Sequence, residues 1–289
     1  MKRINIKIFS LFCILLVSGL NFNASAQQKE LFIYHTNDTH SRLEPIDVNS
    51  ADKFAGLGGY VRRATLVDSL RRVHPNDMLL FDCGDFSQGT PYYNMYKGEV
   101  EVLLMNEMQY NAATIGNHEF DFGLDNMARL FKMANFPIVC ANYDFKGTIL
   151  EDLVKPYIVF EKEGLKIGVF GLSPRLEGLV SGVNSEGVSY QNPVEVANEI
   201  ALKLKQEEKC DLVICLSHLG LRPSALNQDS DQVLVRNTTN IDLVLGGHSH
   251  TFMNEPEIVL NKEGKSVPIS QMGKNGVYLG MFKVSFEPQ

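Results

Sequence analysis

Five apolar runs in this chain each end in side chains of the kind that bind metal ions, and this repetition constrains the fold more than any other feature. The residues that follow the runs are, in chain order, Asp38 with His40, Asp85, Asn117 with His118, His218, and His248 with His250. Parallel strands place their carboxyl ends at one edge of a sheet, where α/β proteins usually carry their sites. The pattern therefore predicts that these side chains meet at a single site.

Each motif has an ordinary structural explanation when it is taken alone. Asp and Asn are common in turns and at helix N-termini, and a lone histidine after a strand is usually structural. However, the set contains five of the seven histidines, and every motif follows an apolar run. The coincidence of all five motifs favours a chemical role for the set.

Helical patterns separate the apolar runs, and this alternation predicts one compact, largely parallel α/β domain. Residues 156–160 and 166–172 alternate apolar and polar side chains and predict an antiparallel hairpin. The first helix begins after Gly59, and its pattern predicts that Val61, Leu66, Val67 and Leu70 face the core while Arg62, Arg63, Arg71 and Arg72 face solvent.

Residues 1–26 have the features of a secretory signal peptide. A basic start precedes an apolar run at 8–20, and the small residues Ala24, Ser25 and Ala26 form a cleavage site. The run is shorter than the roughly 18–20 residues that a membrane span needs. We therefore expect export to the periplasm or the extracellular space, no stable membrane anchor, and a mature catalytic domain at 27–289.

The charge and the cysteines exclude some classes of protein. The predicted mature chain has a net charge of −10 and no run of Lys or Arg, which argues against nucleic-acid binding. An exported location permits disulfides, but three of the four mature cysteines fall in strand-like runs, where cysteine usually packs as a small apolar residue. We expect buried free thiols at Cys83, Cys140, Cys210 and Cys215.

The ligand types indicate which metal ions the site suits. Mixed imidazole and carboxylate ligands favour divalent Zn, Mn, Co or Fe over Ca. The set is too large for one ion, and the two oxygens of a carboxylate such as Asp85 can bridge two ions. Two ions about 3.5–4 Å apart can stabilise both the attacking and the leaving oxygen of an in-line displacement at phosphorus. The sequence therefore predicts two divalent metal ions and a phosphate ester as substrate.

These motifs resemble those of the calcineurin-like metallophosphoesterases, in particular the branch of secreted 5′-nucleotidases and UDP-sugar hydrolases. The resemblance covers nearly the whole mature chain and is carried by residues 33–40, 84–91, 116–121, 216–220 and 246–250. It implies a four-layer α/β/β/α sandwich of the metallophosphoesterase type. It also implies roles for individual residues, which residue spacing alone does not establish.

By this resemblance, one metal ion is held by Asp38, His40, Asp85 and His250. The second ion is held by Asp85, Asn117, His218 and His248. The resemblance makes His118 a catalytic residue that contacts the phosphoryl oxygens, and Asp121 orients its ring. A carboxylate beside an imidazole fixes the tautomer and favours the charged form, so this pairing is physically reasonable.

The implied reaction is hydrolysis of nucleoside 5′-monophosphates to nucleoside and phosphate. Full-length members of this branch carry a second, C-terminal domain that binds the nucleobase, whereas this chain ends at Gln289. We therefore expect a nucleotide or another small phosphate ester as substrate, and a separate partner protein that carries the C-terminal substrate domain.

Two alternatives remain open at this point. The same centre serves cyclic-nucleotide phosphodiesterases and UDP-sugar hydrolases, and the catalytic domain does not separate them. A non-catalytic metal-binding subunit is the alternative of a different class. Loss of activity usually shows as a missing ligand or histidine, and here every implied residue is present.

Overall fold

The computed structural model describes residues 4–6, 29–224 and 228–287. Apart from Ile4–Ile6, the predicted signal peptide lies outside these described residues. In chain order the strands are β1 (Ile4–Ile6), β2 (Lys29–Thr36), β3 (Met78–Asp82), β4 (Ala112–Ala113), β5 (Ile138–Val139), β6 (Tyr143–Asp144), β7 (Val154–Lys155), β8 (Tyr157–Lys162), β9 (Leu165–Leu172), β10 (Ser189–Tyr190), β11 (Leu212–Ser217), β12 (Leu243–Leu245), β13 (Glu257–Leu260), β14 (Ser266–Ser270) and β15 (Gly280–Phe286).

Helices connect most of these strands. They are α1 (Tyr60–Val73), α2 (Pro91–Tyr96), α3 (Glu99–Glu107), α4 (Gly123–Met133), α5 (Pro193–Gln206) and α6 (Asp231–Asn237), with short 3₁₀ helices at His118–Phe120 and Gly182–Ser185. The start of α5 shows how sequence sets a boundary. Pro193 occupies the first turn, and the Asn192 side chain accepts a hydrogen bond from the Val194 N–H at 2.9 Å.

The strands form two main sheets. One has the order β1-β15-β2-β3-β4-β5-β7, and the other has the order β13-β14-β12-β11-β9-β8. Strands β2 to β5 pair in parallel, as do β9, β11, β12 and β14. Strands β8 and β9 form the predicted antiparallel hairpin. The prediction of a largely parallel α/β core with antiparallel additions is confirmed.

Alternating side chains divide the molecule into four layers. Within β2, Ile33 packs in the core between the sheets, while Tyr34 packs in the core that includes residues of α1, α3 and α4. Within β11, Ile214 faces the first sheet, and Val213 faces the helices α5 and α6. Successive residues of a strand point to opposite faces. Both sheets are therefore covered on both faces, and the predicted α/β/β/α sandwich is confirmed.

The strand ends of both sheets meet at one edge of the sandwich. Thr36 is in register with Asp82, and Asp82 is in register with Ala113. In the second sheet, Leu216 is paired with both Gly171 and Leu245. The polar loops that follow β2, β3, β4, β11 and β12 consequently begin side by side.

The prediction for the faces of α1 was wrong at three positions. Val61 and Leu66 are 79% and 47% exposed, whereas Arg63 is only 5% exposed. Arg63 lies over the Tyr60 ring, with its guanidinium carbon 4.3 Å from the ring centroid. An arginine can be buried when an aromatic face and nearby polar groups receive it, and the periodicity of the helix alone does not show this.

The state of the cysteines can also be compared with its prediction. Cys83, Cys140, Cys210 and Cys215 are buried free thiols, as predicted. Within the described part of the chain, no helix is long and apolar enough to cross a membrane.

Candidate metal centre

The loops at the shared edge bring the predicted ligands into two groups. The outer cluster consists of Asp38, His40 and His250, and the inner cluster consists of Asp85, His218 and His248. Within each cluster, one potential ligand atom per residue lies within 4.8 Å of the others. The clusters adjoin, because His218 Nε2 of the inner cluster is 3.9 Å from Asp38 Oδ1 of the outer one.

The outer cluster directs imidazole nitrogens at a carboxylate. His40 Nε2 is 2.9 Å from His250 Nε2, and the latter is 3.3 Å from Asp38 Oδ1. On the other side of its ring, His40 Nδ1 lies 3.3 Å from the Ser87 carbonyl. A proton on Nδ1 satisfies that carbonyl and leaves the Nε2 lone pair for a cation, which is the usual arrangement behind a metal-binding histidine.

The inner cluster repeats this arrangement deeper in the protein. His218 is completely buried, and its Nδ1 donates to the Cys83 carbonyl at 2.6 Å. Its Nε2 lies 3.1 Å from Asp85 Oδ2 but has no hydrogen-bond partner among the described residues. The Asn117 Oδ1 atom is also buried and lacks a hydrogen-bond partner in the described part of the chain.

These atoms fit divalent cations. Buried polar atoms are normally paired, so an unpartnered Nε2 and an unpartnered amide oxygen beside carboxylates call for a ligand. Imidazole nitrogens with carboxylate and amide oxygens are the donors that Zn, Mn, Fe or Co ions accept. The two clusters therefore have the composition and the lone-pair directions of a dinuclear centre.

The electrostatics of the clusters also require positive charge. Burial lowers the pKa of His218, but Asp85 and Asp38 outweigh this effect and raise it to about 10. Burial lowers the pKa of His248 to about 4, and proton-bearing His218 adds to that effect. The buried carboxylates thus hold a proton on His218, and a bound divalent cation would supply the same charge instead.

His118 and Asp121 lie beside the clusters and belong to neither. The His118 ring is 5.6 Å from the His40 ring, and its side chain is 30% exposed. His118 Nδ1 lies 3.1 Å from Asp121 Oδ2, so its Nε2 remains for another partner. Burial lowers the pKa of His118, but the Asp121 hydrogen bond and Asp85 raise it above its ordinary value. The pair is therefore suited to hold a proton near the clusters.

The backbone at the ligands is strained. Left-handed φ angles are uncommon for residues other than glycine, and they concentrate at functional sites. Such angles occur at five of the six cluster residues: Asp38 (49°), His40 (46°), Asp85 (54°), His248 (71°) and His250 (52°). Close packing around the site must hold this geometry.

Two glycines allow the loops to approach so closely. A Cβ atom at Gly116 would lie 2.1 Å from Asp85 Oδ1, and one at Gly247 would lie 2.9 Å from His218 Nδ1. Any side chain at these positions would displace a cluster residue. Glycine permits this close approach of the backbone because it has no Cβ atom.

Glu119 is a site residue that the sequence analysis missed. Its buried carboxylate accepts hydrogen bonds from the N–H groups of Asp85 at 3.0 Å, Ser87 at 3.2 Å and Gly116 at 2.6 Å. Burial and Asp85 raise the pKa of Glu119 to about 7. Its position two residues after Asn117 was a signal, because acidic side chains often orient ligand loops.

Asn37 and Asp231 also support the clusters. The Asn37 amide donates to Asp38 Oδ2 at 2.6 Å and to the Gly273 carbonyl at 2.8 Å. Asp231 accepts a hydrogen bond from Ser217 Oγ at 2.5 Å, directly before His218. Asn37 thus orients the carboxylate of a cluster residue, and Asp231 anchors the residue next to His218; neither could be distinguished from a turn or cap residue in the sequence.

Comparisons with known proteins agree on one family. The family model for calcineurin-like phosphoesterases matches residues 32–252. The chain is 34% identical over 285 residues to the snake venom 5′-nucleotidase of Crotalus adamanteus, and the match covers 92% of this chain and 47% of that protein. The chain spans about half the length of the curated relatives it matches.

Solved structures show the same fold. The 5′-nucleotidase precursor from Thermus thermophilus superposes with a TM-score of 0.79 at 31% identity, covering 88% of this chain and 51% of that one. The calcineurin-like phosphoesterase YfkN from Bacillus subtilis superposes with a TM-score of 0.74 at 29% identity, covering 91% of this chain and 87% of that one.

Proposed function

The chain belongs to the calcineurin-like phosphoesterase family, and from this premise we propose that it is a metal-dependent phosphoric ester hydrolase with a dinuclear centre. The observation that carries the proposal is the adjacency of the two clusters to the His118–Asp121 pair. Metal ligation without catalysis would not require a partly exposed, carboxylate-oriented histidine that stands outside both clusters.

We assign the cluster residues as metal ligands. The outer cation would be held by Asp38, His40 and His250, and the inner cation by His218, His248 and Asn117, with Asp85 available to both. Two observations support the shared role of Asp85. Its Oδ2 lies 3.1 Å from Nε2 of His218 in the inner cluster. In the outer cluster, burial lowers the pKa of His40, and the charge of Asp85 opposes that effect. Zn, Mn, Co and Fe all suit this set of donors.

The mechanism assigns separate tasks to the chain's own residues. Two divalent cations bound here would activate water and neutralise charge on the phosphoryl group. Asp121 accepts a hydrogen bond from Nδ1–H and favours the charged imidazolium of His118, whose Nε2–H can then be directed at the phosphoryl oxygens or the leaving oxygen. Glu119 holds the Asp85 and Gly116 backbone in place, so the ligand loops need no rearrangement during the reaction.

We propose nucleoside 5′-monophosphates as substrates, cleaved to nucleoside and phosphate. Several relatives at 30% identity or more bear the name 5′-nucleotidase, which supports this choice. This chain corresponds to about half of those relatives, and we propose that recognition of the nucleoside depends on a C-terminal substrate domain outside residues 1–289, carried by the same protein or by a separate partner protein. We further propose export after cleavage near Ala26, on the basis of the N-terminal sequence.

Hydrolysis assays on metal-stripped, reconstituted mature protein test these proposals. We expect release of phosphate from an aryl phosphate and from AMP in the presence of Mn²⁺, Zn²⁺ or Co²⁺. Activity on the aryl phosphate alone would favour a required partner domain. Preference for a bis-aryl phosphodiester would indicate a phosphodiesterase instead of a phosphomonoesterase. Absence of turnover with any metal would favour a non-catalytic subunit.

Export has its own test. Expression of the full chain in a bacterial host, followed by fractionation and mass spectrometry of its N-terminus, would reveal the processed form. A mature N-terminus at Gln27 is the expected result, and an intact Met1 on a cytoplasmic protein would contradict the proposal.

A further inference from the structure

Gln271 lies directly after β14 and is completely buried, although no motif in the sequence marks it. Strand β14 pairs in parallel with β12, so its carboxyl end lies at the edge that carries the clusters. The Gly246 N–H donates to the Ser270 carbonyl at 2.8 Å, which places Gln271 beside the loop that follows β12. A buried amide that belongs to neither cluster therefore lies next to the ligand loops.

The carbonyl end of the Gln271 side chain holds the loop that carries His248 and His250. Its Oε1 accepts hydrogen bonds from the Ser249 hydroxyl at 2.9 Å and from the Thr251 N–H at 3.3 Å. Ser249 lies between the two histidines, and Thr251 directly follows the second one. Because His248 belongs to the inner cluster and His250 to the outer one, this single oxygen binds a loop that serves both clusters.

The nitrogen end of the same side chain is linked to the loop of His218. Gln271 Nε2 donates to Asp231 Oδ2 at 3.1 Å, and the other carboxylate oxygen accepts from the Ser217 hydroxyl at 2.5 Å. Ser217 directly precedes His218, and its hydroxyl also accepts from the Leu219 N–H at 3.2 Å. A continuous chain of hydrogen bonds thus joins the two histidine-bearing loops, which follow β11 and β12.

The partners of the Gln271 amide fix its orientation. The Thr251 N–H is a donor and requires the amide oxygen, whereas the Asp231 carboxylate accepts from the amide nitrogen. Asp231 and Gln271 are both completely buried, and a Cβ atom at Gly246 would collide with each of them. Buried polar networks whose members are all hydrogen-bonded make their surroundings rigid. This network therefore has the connections needed to hold two loops in place.

We propose that Gln271 is a positioning residue for both clusters, acting through Asp231 and Ser249 to hold the two histidine-bearing loops at a fixed separation. It touches no reacting atom and binds no cation itself. The inference rests on the proposed function, since it requires the two clusters to hold cations. It adds that the affinity of both clusters depends on one neutral amide buried beside them.

Calorimetric titration of the metal-stripped protein with Mn²⁺ tests this inference. The wild type should bind two ions. Gln271→Met nearly keeps the volume of the side chain but removes both of its hydrogen-bonded ends. It should weaken both steps about tenfold, as loss of a group that orients metal ligands typically does. Gln206→Met makes the same change at the exposed last residue of α5 and should alter neither step.

Variants at the far end of the chain of hydrogen bonds separate positioning from general damage to the fold. Ser217→Ala cuts the chain beside His218 and leaves the bonds of Gln271 to the other loop, so it should weaken the inner step alone. His250→Ala identifies the outer step and thereby assigns the two. Global destabilisation would not select one step.

Substitutions of Asp231 provide a rescue test. Asp231→Asn keeps an amide that can bond to both Ser217 and Gln271, and it should retain most of the wild-type affinity, whereas Asp231→Ala should not. The double variant of Gln271→Met with Asp231→Ala should bind Mn²⁺ no more weakly than the weaker single variant, because both changes break one chain. Additive losses would contradict action through that chain.

Ser249→Ala provides the test if Gln271→Met does not fold, because Ser249 is exposed and its hydroxyl is the other end of the chain. It should weaken both steps. Unchanged steps in every folded variant of Gln271 and Ser249, or equal losses in Asp231→Asn and Asp231→Ala, would overturn the positioning role alone. A wild-type protein that binds no Mn²⁺ would overturn the dinuclear centre and this inference together.

Discussion

The outer and inner clusters contain the same ligand types but are supported differently. His218 of the inner cluster is completely buried and follows β11 directly, with its N–H bonded to the Leu172 carbonyl at 2.8 Å. His250 of the outer cluster has a side chain that is 36% exposed, and all three outer residues have left-handed φ angles. Asp85 and His248 of the inner cluster share such angles, so the clusters differ at His218, which the sheet orders directly, whereas every outer residue depends on packing around strained loops.

This difference predicts that the two clusters bind their cations with unequal affinity. Ligands that the fold already orients need no ordering when a cation binds, and they bind it more tightly. We therefore expect the inner cluster to bind its cation first and the outer cluster to complete the active centre.

Asp85→Asn should abolish the difference in affinity between the two clusters, because Asp85 is the carboxylate proposed to serve both cations. Removal of its charge should weaken both Mn²⁺ steps and lower kcat about 10³-fold, as the stabilisation from paired cations is worth several kcal/mol. Titration and phosphate release would measure the two effects, with the exposed Asp125→Asn as control. Loss of only one step would show that Asp85 serves a single cation.

His118→Ala should preserve the difference in cation affinity between the two clusters and still reduce the rate of hydrolysis. The ring lies outside both clusters, so both Mn²⁺ steps should remain. Loss of a general acid typically lowers kcat about 10²-fold. Steady-state kinetics on an aryl phosphate would check this, with His74→Ala as a histidine control remote from the strand-end loops. An unchanged kcat, or the loss of a cation, would refute the assigned role.

Asp121→Asn should change the pH dependence more than the maximal rate. The pKa of His118 stands above its ordinary value partly through Asp121, so activity that needs protonated His118 is present below that pKa and lost as pH rises through it. Without the carboxylate that pKa falls, and the alkaline limb of the kcat profile should move to lower pH with about a tenfold loss near neutral pH. A limb that stays in place would exclude the pair from proton transfer.

Chelation should reveal the smallest effect, a difference in release rate between the two cations. In a stopped-flow experiment on Mn²⁺-loaded protein, excess chelator should remove the exposed outer cation first and the buried inner one later. His250→Ala should eliminate the fast phase. A single phase of two equivalents would show that the clusters do not differ.

The sequence predicted the parts of the molecule that apolar periodicity controls. The runs that end before Asp38, Asp85 and His218 became strands β2, β3 and β11, and the parallel arrangement then required their loops to meet. No further information was needed to predict that the candidate ligand groups lie close together. Chain direction and strand adjacency alone place them at one edge.

The parts that sequence reasoning missed depend on contacts between distant residues. Arg63 packs on the Tyr60 ring and fills the space that a side chain at Gly276 would need, and no pattern within α1 encodes those neighbours. Glu119 resembled a turn residue until its three backbone donors were visible. Helix α2 was missed although Pro91 marks its first turn, because its six residues are too few for a helical period.

The most direct test of the account is the turnover of an aryl phosphate by metal-stripped wild-type protein as Mn²⁺ is added in measured equivalents. A dinuclear centre should bind two ions per chain, with little hydrolysis after the first equivalent and a steep rise as the second fills the outer cluster. Full activity after one equivalent, or hydrolysis by the stripped protein, would contradict a dinuclear centre built from these two clusters.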